Sequence, residues 1–320
     1  MNVIAIMGCT ASGKSSVAEV IAGRWRESRG VVATVMAVDS MQVYRGMDIG
    51  TSKPSEQVRR SLPHAMLDVA DPWESYSAAR FCDTAQNILD AHAAEGKRVI
   101  MVVGTILYFK ALTQGLFAGP AAQPEIRRRL NQLADDAGTE ALHRQLAAVD
   151  AVAAGRIHLN DRRRLIRALE VFEVTGRPIS ALQDQWRAER SAPDFPLIVI
   201  QRDRADLAHR INRRVEEMLE RGLVEEVERL INHPQGLSMQ AAQGVGYKEI
   251  IDYLHGRCSR DQAIEEIKIN TRHLAKLQRT WLRRFAITAT VDAGPTETAE
   301  LQAQQIMDAC EGWADRLASA

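Results

Sequence analysis

The chain carries no net charge: 41 Lys and Arg stand against 41 Asp and Glu in 320 residues. The total therefore neither favours nor excludes a nucleic-acid partner, and the distribution of charge has to decide. Cysteine is scarce and scattered, at Cys9, Cys82, Cys258 and Cys310, with no C-x-x-C and no Cys/His ligand spacing. That excludes a zinc site or a disulfide framework and fits a reducing compartment. No apolar run is long enough to span a bilayer, and no basic leader precedes the first apolar segment. The expectation is a cytoplasmic protein with no membrane partner, monomeric by default. There is also no internal repeat and no low-complexity tract.

What is present begins at once. The apolar run Val3–Met7 reads as a buried strand and leads into Gly8, Cys9, Thr10, Ala11, Ser12, Gly13, Lys14 and Ser15, the pattern G-x-x-x-x-G-K-[ST]. Such a loop turns backbone N–H groups onto a diphosphate, Lys14 adds a mobile charge, and the Ser15 hydroxyl can reach Mg²⁺. The stretch from Ser15 to Arg26 suits a helix whose positive end faces the same phosphates. Cys9 inside the loop reads as a tolerated small residue, not a nucleophile.

Further apolar runs at Val31–Val38, Val99–Val103 and Leu197–Gln201 alternate with helical patterns at Ser77–Glu95 and Ile211–Ile231. This alternation predicts an α/β fold with a parallel sheet covered by helices. Residues 121–192 carry no convincing strand and read as consecutive helices broken near Gly138, Gly155 and Gly176. The expected organisation is a P-loop α/β core from 1–120 and 193–290, a helical insertion at 121–192, and a helical tail at 291–320.

Asp39 ends the second apolar run. Ligands of open α/β sheets bind at the carboxyl ends of the strands, so Asp39 belongs near the phosphate loop. A carboxylate there can bind metal through water, cap a turn, or act as a base. The run Val99–Val103 ends in Gly104-Thr105, with no Asp where an ordinary NTPase holds Mg²⁺. No guanine-reading N/T-K-x-D occurs either.

Charge distribution is more telling than its total. Residues 267–291 contain six Lys and Arg and no acid. Lys268, Arg272, Lys276, Arg279 and Arg283 recur every three or four residues, so one helix face would carry them all. Arg162, Arg163, Arg164 and Arg167 form a second cluster, and Arg202, Arg204, Arg210, Arg213 and Arg214 a third. Singly, each reads as a solvated face; three in a neutral chain point to an extended anionic partner.

At this point the order of motifs resembles a known family. The series Gly8…Lys14-Ser15, then the run from Asp39 to Pro54 (DSMQVYRGMDIGTSKP), His64…Asp68 and Tyr76-Ser77…Phe81 resembles the tRNA dimethylallyltransferases. So do Gly104-Thr105-Ile106-Leu107-Tyr108, the run Asn160–Glu170 (NDRRRLIRALE), Gly246-Tyr247-Lys248-Glu249, and Thr271 to Arg283. The resemblance spans residues 2 to about 285. Departures are small: Cys9 replaces Pro, Val103 the first Gly of G-G-T, and Leu277 the Arg of A-K-R-Q, which removes one charge from the stripe.

The resemblance implies transfer of a dimethylallyl group from its diphosphate to N6 of adenosine 37 beside the anticodon, with Mg²⁺ as cofactor. It implies Asp39 as the base, with Lys14, Thr10 and Arg214 on the diphosphate and Ser15 on the metal. Asp39, Ser40, Met41, Gln42, Thr105 and Arg127 would hold the flipped nucleotide, with Gln42 reading its edge. Arg163, Arg164, Leu165, Ile166 and Arg167 would grip the anticodon arm. So would Gln243, Gly244, Val245, Gly246, Tyr247 and Lys248. The helix carrying Lys276, Leu277, Gln278, Arg279, Thr280, Trp281, Leu282 and Arg283 completes the expected tRNA surface. The competing readings are a P-loop small-molecule kinase using ATP, a prenyltransferase of free adenine nucleotides, and an RNA-binding protein with a relic loop.

Overall fold

The apolar runs become strands of one parallel sheet. The computed structural model describes residues 2–115, 119–182 and 194–318. Its strands are β1 (Val3–Gly8), β2 (Ala33–Val38), β3 (His64–Ala65), β4 (Arg98–Val103), β5 (Leu197–Gln201) and β6 (Ala289–Asp292), in the spatial order β3-β2-β4-β1-β5-β6. All five pairings are parallel. β1 lies at the centre, and its side chains alternate: Ala5 and Met7 enter one apolar core, Ile4 and Ile6 the other. That alternation is the two-residue period of a strand covered on both faces, and it explains why β1 reads as an unbroken apolar run.

The registers put four loops at one edge of the sheet. Met7 and Val38 each pair with Val103, and Gly8 pairs with Ile200, so the segments after β1, β2, β4 and β5 emerge together. Helices follow or join them: α1 (Lys14–Arg29), α2 (Glu56–Ser61), α3 (Ala78–Ala94) and α4 (Ile106–Gln114). The insertion contributes α5 (Pro124–Ala137), α6 (Thr139–Val149), α7 (Ala151–Ala154), α8 (Arg162–Thr175) and α9 (Ile179–Leu182). The core resumes with α10 (Arg204–Glu220), α11 (Leu223–Ile231), α12 (Tyr247–Leu254), α13 (Arg260–Leu282) and α14 (Ala299–Ala318). The single helix expected over Ile211–Ile231 is two, because Gly222 at φ 93° takes a left-handed turn that a helix cannot contain. α13 starts from a capping box of Ser259 with Gln262.

Two compact units result, one from residues 2–113 and 194–318, the other from 114–182. The last thirty residues are a correction to the expected helical tail. β6 pairs with β5, and α14 places Ala303 and Ile306 in the same core as Ile4 and Ile21, so this segment completes the sheet unit. The second unit has its own core of Leu130, Leu142, Leu146, Leu165, Leu169 and Val171, and no strand among its described residues. Residues 183–193, the end of the expected insertion, lie outside the described residues. Among the described residues no helix is long and apolar enough to cross a membrane.

Candidate active site

The phosphate loop closes over its own lysine. Lys14 Nζ donates to Gly8 O at 3.0 Å and Cys9 O at 2.7 Å, Arg210 Nε to Ala11 O at 2.9 Å, and Arg202 Nε to Ser12 O at 2.8 Å. Four loop carbonyls are thus taken by cations. Among the described residues, the N–H groups of Ala11, Gly13, Lys14 and Ser15 have no protein acceptor. That combination makes a concave anion site at the start of α1. Gly8 must be glycine, since a Cβ there would stand 2.7 Å from both Ile200 O and Ser12 Oγ. Ser12 Oγ is itself buried without a partner. Cys9 donates its thiol to Ala275 O at 3.3 Å and packs with Leu207 and Ile211, a packing role and not a nucleophilic one.

Asp39 stands beside this loop. Its Oδ1 accepts from Met41 N at 2.8 Å and Gln42 N at 3.2 Å, which is the turn-capping role. Among the described residues Oδ2 has no hydrogen-bond donor, so one oxygen shapes the turn and the other is available for chemistry. A Cβ on Gly104 would come within 2.3 Å of that Oδ2, so the residue after β4 is a glycine and not the acid of an ordinary NTPase. Thr105 Oγ1 accepts from Ser40 N at 2.9 Å and tethers the same turn.

Charge converges here. Burial, then the repulsion of Arg214, pushes Lys14 down to about 8, while the neighbouring Cys9 and Asp39 oppose the fall. Arg214 is half-buried; desolvation lowers it and Asp39 counteracts. Its Nη1 lies 3.5 Å from Thr10 Oγ1. Asp39, Lys14, Thr10 and Arg214, far apart in the chain, are therefore brought together. Ser15 is exposed at the second position of α1. No cluster of three His, Cys, Asp or Glu exists among the described residues. A metal here would depend on the Ser15 hydroxyl, diphosphate oxygens and water, a hard-oxygen set of the kind Mg²⁺ accepts.

The residues expected to touch an extended partner divide. Lys276, Leu277 and Thr280 lie exposed on α13 and Arg283 just past its end; Gln243 and Lys248 are exposed in the same core unit. Arg279 and Trp281 are half-buried, and the Arg284 guanidinium covers the Trp281 ring at 4.5 Å. Gln278 is different. At 7 % exposure it accepts from Thr10 N and donates to Gly104 O, both at 2.8 Å, so its amide is a brace between the phosphate loop and the turn after β4. Leu282 and Tyr247 are core residues. Gly244 and Gly246 are buried, and Val245 packs against the same core.

The basic stripes also need correcting. On α13, Lys268 pairs with Glu216 and Glu265, and Arg272 donates to Asn212 Oδ1 at 2.9 Å, so that half of the stripe serves packing against α10. Arg202, Arg210 and Arg214 turn to the phosphate loop, and Arg213 pairs with Glu217. In the second unit Leu165 and Ile166 are buried in its core and cannot offer their side chains to a partner. Arg127 and Arg167 both bind the buried Glu170, at 2.8 and 2.7 Å. Burial alone would raise Glu170, but the hydrogen bonds from Arg127, Gln123 N and Arg167 outweigh it and hold the carboxyl below its usual range. Arg164 pairs with Asp161, and Arg162 with Asp135. Arg163 is exposed and enters none of these pairs.

Sequence reasoning missed the supports of the loop after Asp39. Gln42 donates its amide to Thr51 O at 3.0 Å, which fixes the side chain against residues 48–53. Lys53, with a fully buried side chain, ties Tyr44 O to Asp48 and Asp68. On the other side Glu226 accepts from Asp48 N, Ile49 N and Gly50 N and from the Tyr247 hydroxyl. Burial and the adjacent Glu226 push Tyr247 far up, so it stays a donor. The only sequence signal for Glu226 was its place among apolar residues in the Leu223-Val224-Glu225-Glu226-Val227 run.

Comparisons with known proteins agree on one group. The family model described as IPP transferase matches residues 42–285. A tRNA dimethylallyltransferase of Geobacter metallireducens is 45 % identical over 88 % of this chain and 90 % of its own length. One from Thiobacillus denitrificans is 43 % identical over 90 % of each. Among solved structures, a full-length tRNA isopentenylpyrophosphate transferase from Bacillus halodurans superposes with a TM-score of 0.69 at 34 % identity, covering 98 % of each chain. A eukaryotic dimethylallyltransferase acting on tRNA gives a TM-score of 0.73 at 26 % identity, over 96 % of this chain and 77 % of that one.

Proposed function

The chain belongs to the IPP transferase family, and from that premise and the geometry of the site we infer that it transfers a dimethylallyl group from dimethylallyl diphosphate to N6 of adenosine 37 in tRNA. The observation that carries the chemistry is the free Oδ2 of Asp39 within the electrostatic reach of Lys14 and Arg214. A base and a diphosphate clamp in one place are what N-alkylation by an allylic diphosphate requires.

As the C1–O bond of the donor breaks, its electron pair stays with the diphosphate. The free N–H groups of the phosphate loop, Lys14 and Arg214 take up that growing charge, and Thr10 adds a hydroxyl donor. Mg²⁺, held through Ser15, would supply Lewis-acid stabilisation of the same leaving group. N6 of the adenine attacks the allylic carbon, and its proton passes to Asp39 Oδ2 as the C–N bond forms. The adenine must leave its stack to arrive there. Gln42, with its amide nitrogen already committed to Thr51 O, keeps its carbonyl oxygen for the base edge. Arg163 in the helical unit and Lys276, Thr280, Arg283 and Lys248 in the core unit supply exposed groups for the RNA backbone.

The deciding experiment supplies radiolabelled dimethylallyl diphosphate, ATP and Mg²⁺ with either unmodified tRNA or AMP. Label in tRNA alone is expected. Label in AMP alone would select the free-nucleotide prenyltransferase, and ATP hydrolysis without label in either would select a kinase.

A further inference from the structure

The family model stops at residue 285, yet the segment beyond it packs on the strand and helix that flank the phosphate loop. β6 pairs in register with β5, Ile200 opposite Val291 and Gln201 opposite Asp292. This brings the following turn alongside the chain that leaves β5 at Arg202. The turn is itself fastened: Ala293 N donates to Gln201 O at 2.7 Å, and Gly294 N to Glu297 Oε2 at 3.1 Å.

Arg202 spans the gap between this turn and the loop. Its Nη1 donates to Gly294 O at 3.0 Å, Ala293 O at 3.3 Å and Asp206 Oδ2 at 3.0 Å, while its Nε donates to Ser12 O at 2.8 Å. The guanidinium is planar, so fixing one edge fixes the other. Its side chain is almost wholly buried, and a buried cation is held in place only when its donors are matched. Two of the three acceptors on Nη1 are C-terminal carbonyls. From α14, Gln302 stands close to the same point of the loop. A side chain on Gly13 would meet Arg202 Nη2 at 3.7 Å and both Arg210 Nη2 and Gln302 Oε1 at 4.0 Å.

We propose that the β6–α14 segment, acting through Arg202, is a positioning element of the diphosphate site. Arg202 holds the Ser12 carbonyl away from the anion, next to Arg210 on Ala11 O, so the free N–H of Gly13, which shares the peptide plane of the Ser12 carbonyl, stays aimed at a ligand before one arrives. Arg202 touches no reacting atom in this assignment. The C-terminal segment thereby acts on the donor substrate and not on the RNA. The inference rests on the diphosphate-binding reading of the loop, but not on what receives the prenyl group.

The test uses the full chain with Arg202→Lys, which keeps a charge but cannot reach the loop and the turn together, and Asp206→Asn, the milder variant should the first not fold. Calorimetry with inorganic pyrophosphate and Mg²⁺ is run beside steady-state kinetics and amide hydrogen exchange. Arg202→Lys is expected to weaken pyrophosphate and raise the donor KM at least tenfold, with the tRNA KM within twofold of wild type. Exchange in residues 9–13 quickens, and Asp206→Asn shifts the same readouts about threefold. Unchanged pyrophosphate affinity, or an equal loss toward both substrates, overturns the proposal. If the wild type transfers no prenyl group yet binds pyrophosphate in an Arg202-dependent way, the function falls and this inference stands.

Discussion

Replacing Glu226 with alanine is expected to unfasten the acceptor side of the site while leaving the donor side intact. The carboxylate is 4 % exposed and serves four donors: Oε2 takes Asp48 N at 3.0 Å and Ile49 N at 2.8 Å, and Oε1 takes Gly50 N at 3.2 Å and the Tyr247 hydroxyl at 2.6 Å. A hydrogen bond to a charged group contributes about 1.5–3 kcal/mol, and a buried donor left alone costs about 1–3. The four act as a unit, and water can enter the space left by the side chain, so they do not sum. An overall loss of roughly 3–5 kcal/mol follows. Urea unfolding followed by circular dichroism measures it. Gln42 is held through Thr51 O, so the tRNA KM should rise several-fold with the donor KM unmoved. Glu226→Gln should fall in between, because its amide NH₂ opposes at least one of the same donors. A stability change under about 1 kcal/mol for Glu226→Ala, or a rise confined to the donor KM, would refute the reasoning.

Four other outcomes are expected. Asp39→Asn should cut turnover about 10²–10⁴-fold by removing the proton acceptor, with tRNA affinity in filter binding near wild type; retained turnover removes the base assignment. Gly104→Ala drives a methyl to 2.3 Å from Asp39 Oδ2 and should lower kcat without lowering the melting temperature by more than a few degrees, whereas normal kcat would mean the carboxylate can stand elsewhere. Lys14 is held near 8 against 10.5 when unfolded, so it is charged in both states below pH 8 and folding releases its proton between those values. Its contribution to stability therefore rises with pH through that window, while kcat/KM for the donor should fall above pH 8 as the cation is lost; a flat profile from pH 7 to 9.5 contradicts it. Arg163→Ala and Lys276→Ala should each weaken tRNA and reduce the slope of log K against log salt by about 1, and an unchanged slope removes the residue from the interface.

Local patterns were readable and crossings between elements were not. Val3 to Ser15 shows strand, loop and helix in sequence order, because each step depends on neighbours only. β3 has two residues and β6 buries only Val291 deeply, so neither leaves an apolar run to detect. Arg202, Arg210 and Arg214 read as part of one basic cluster, which does not tell whether RNA or protein lies opposite. The structure puts the phosphate loop there. Glu226 failed for the converse reason: an acid on an amphipathic helix reads as solvated unless the loop that donates to it, 177 residues away at Ile49, is known.

The two sides of α13 obey opposite rules of substitution. Ala275, Gln278 and Leu282 face inward, and Gln278 is pinned at both ends of its amide, to the phosphate loop and to the turn after β4. Lys276, Leu277 and Thr280 look outward, Leu277 with 60 % of its surface in solvent. Neighbouring positions of one helix are thus free and frozen by turns. A substitution at 276, 277 or 280 therefore changes what the surface offers to solvent, whereas one at 275, 278 or 282 is felt in the packing beneath and, at 278, in both loops at once.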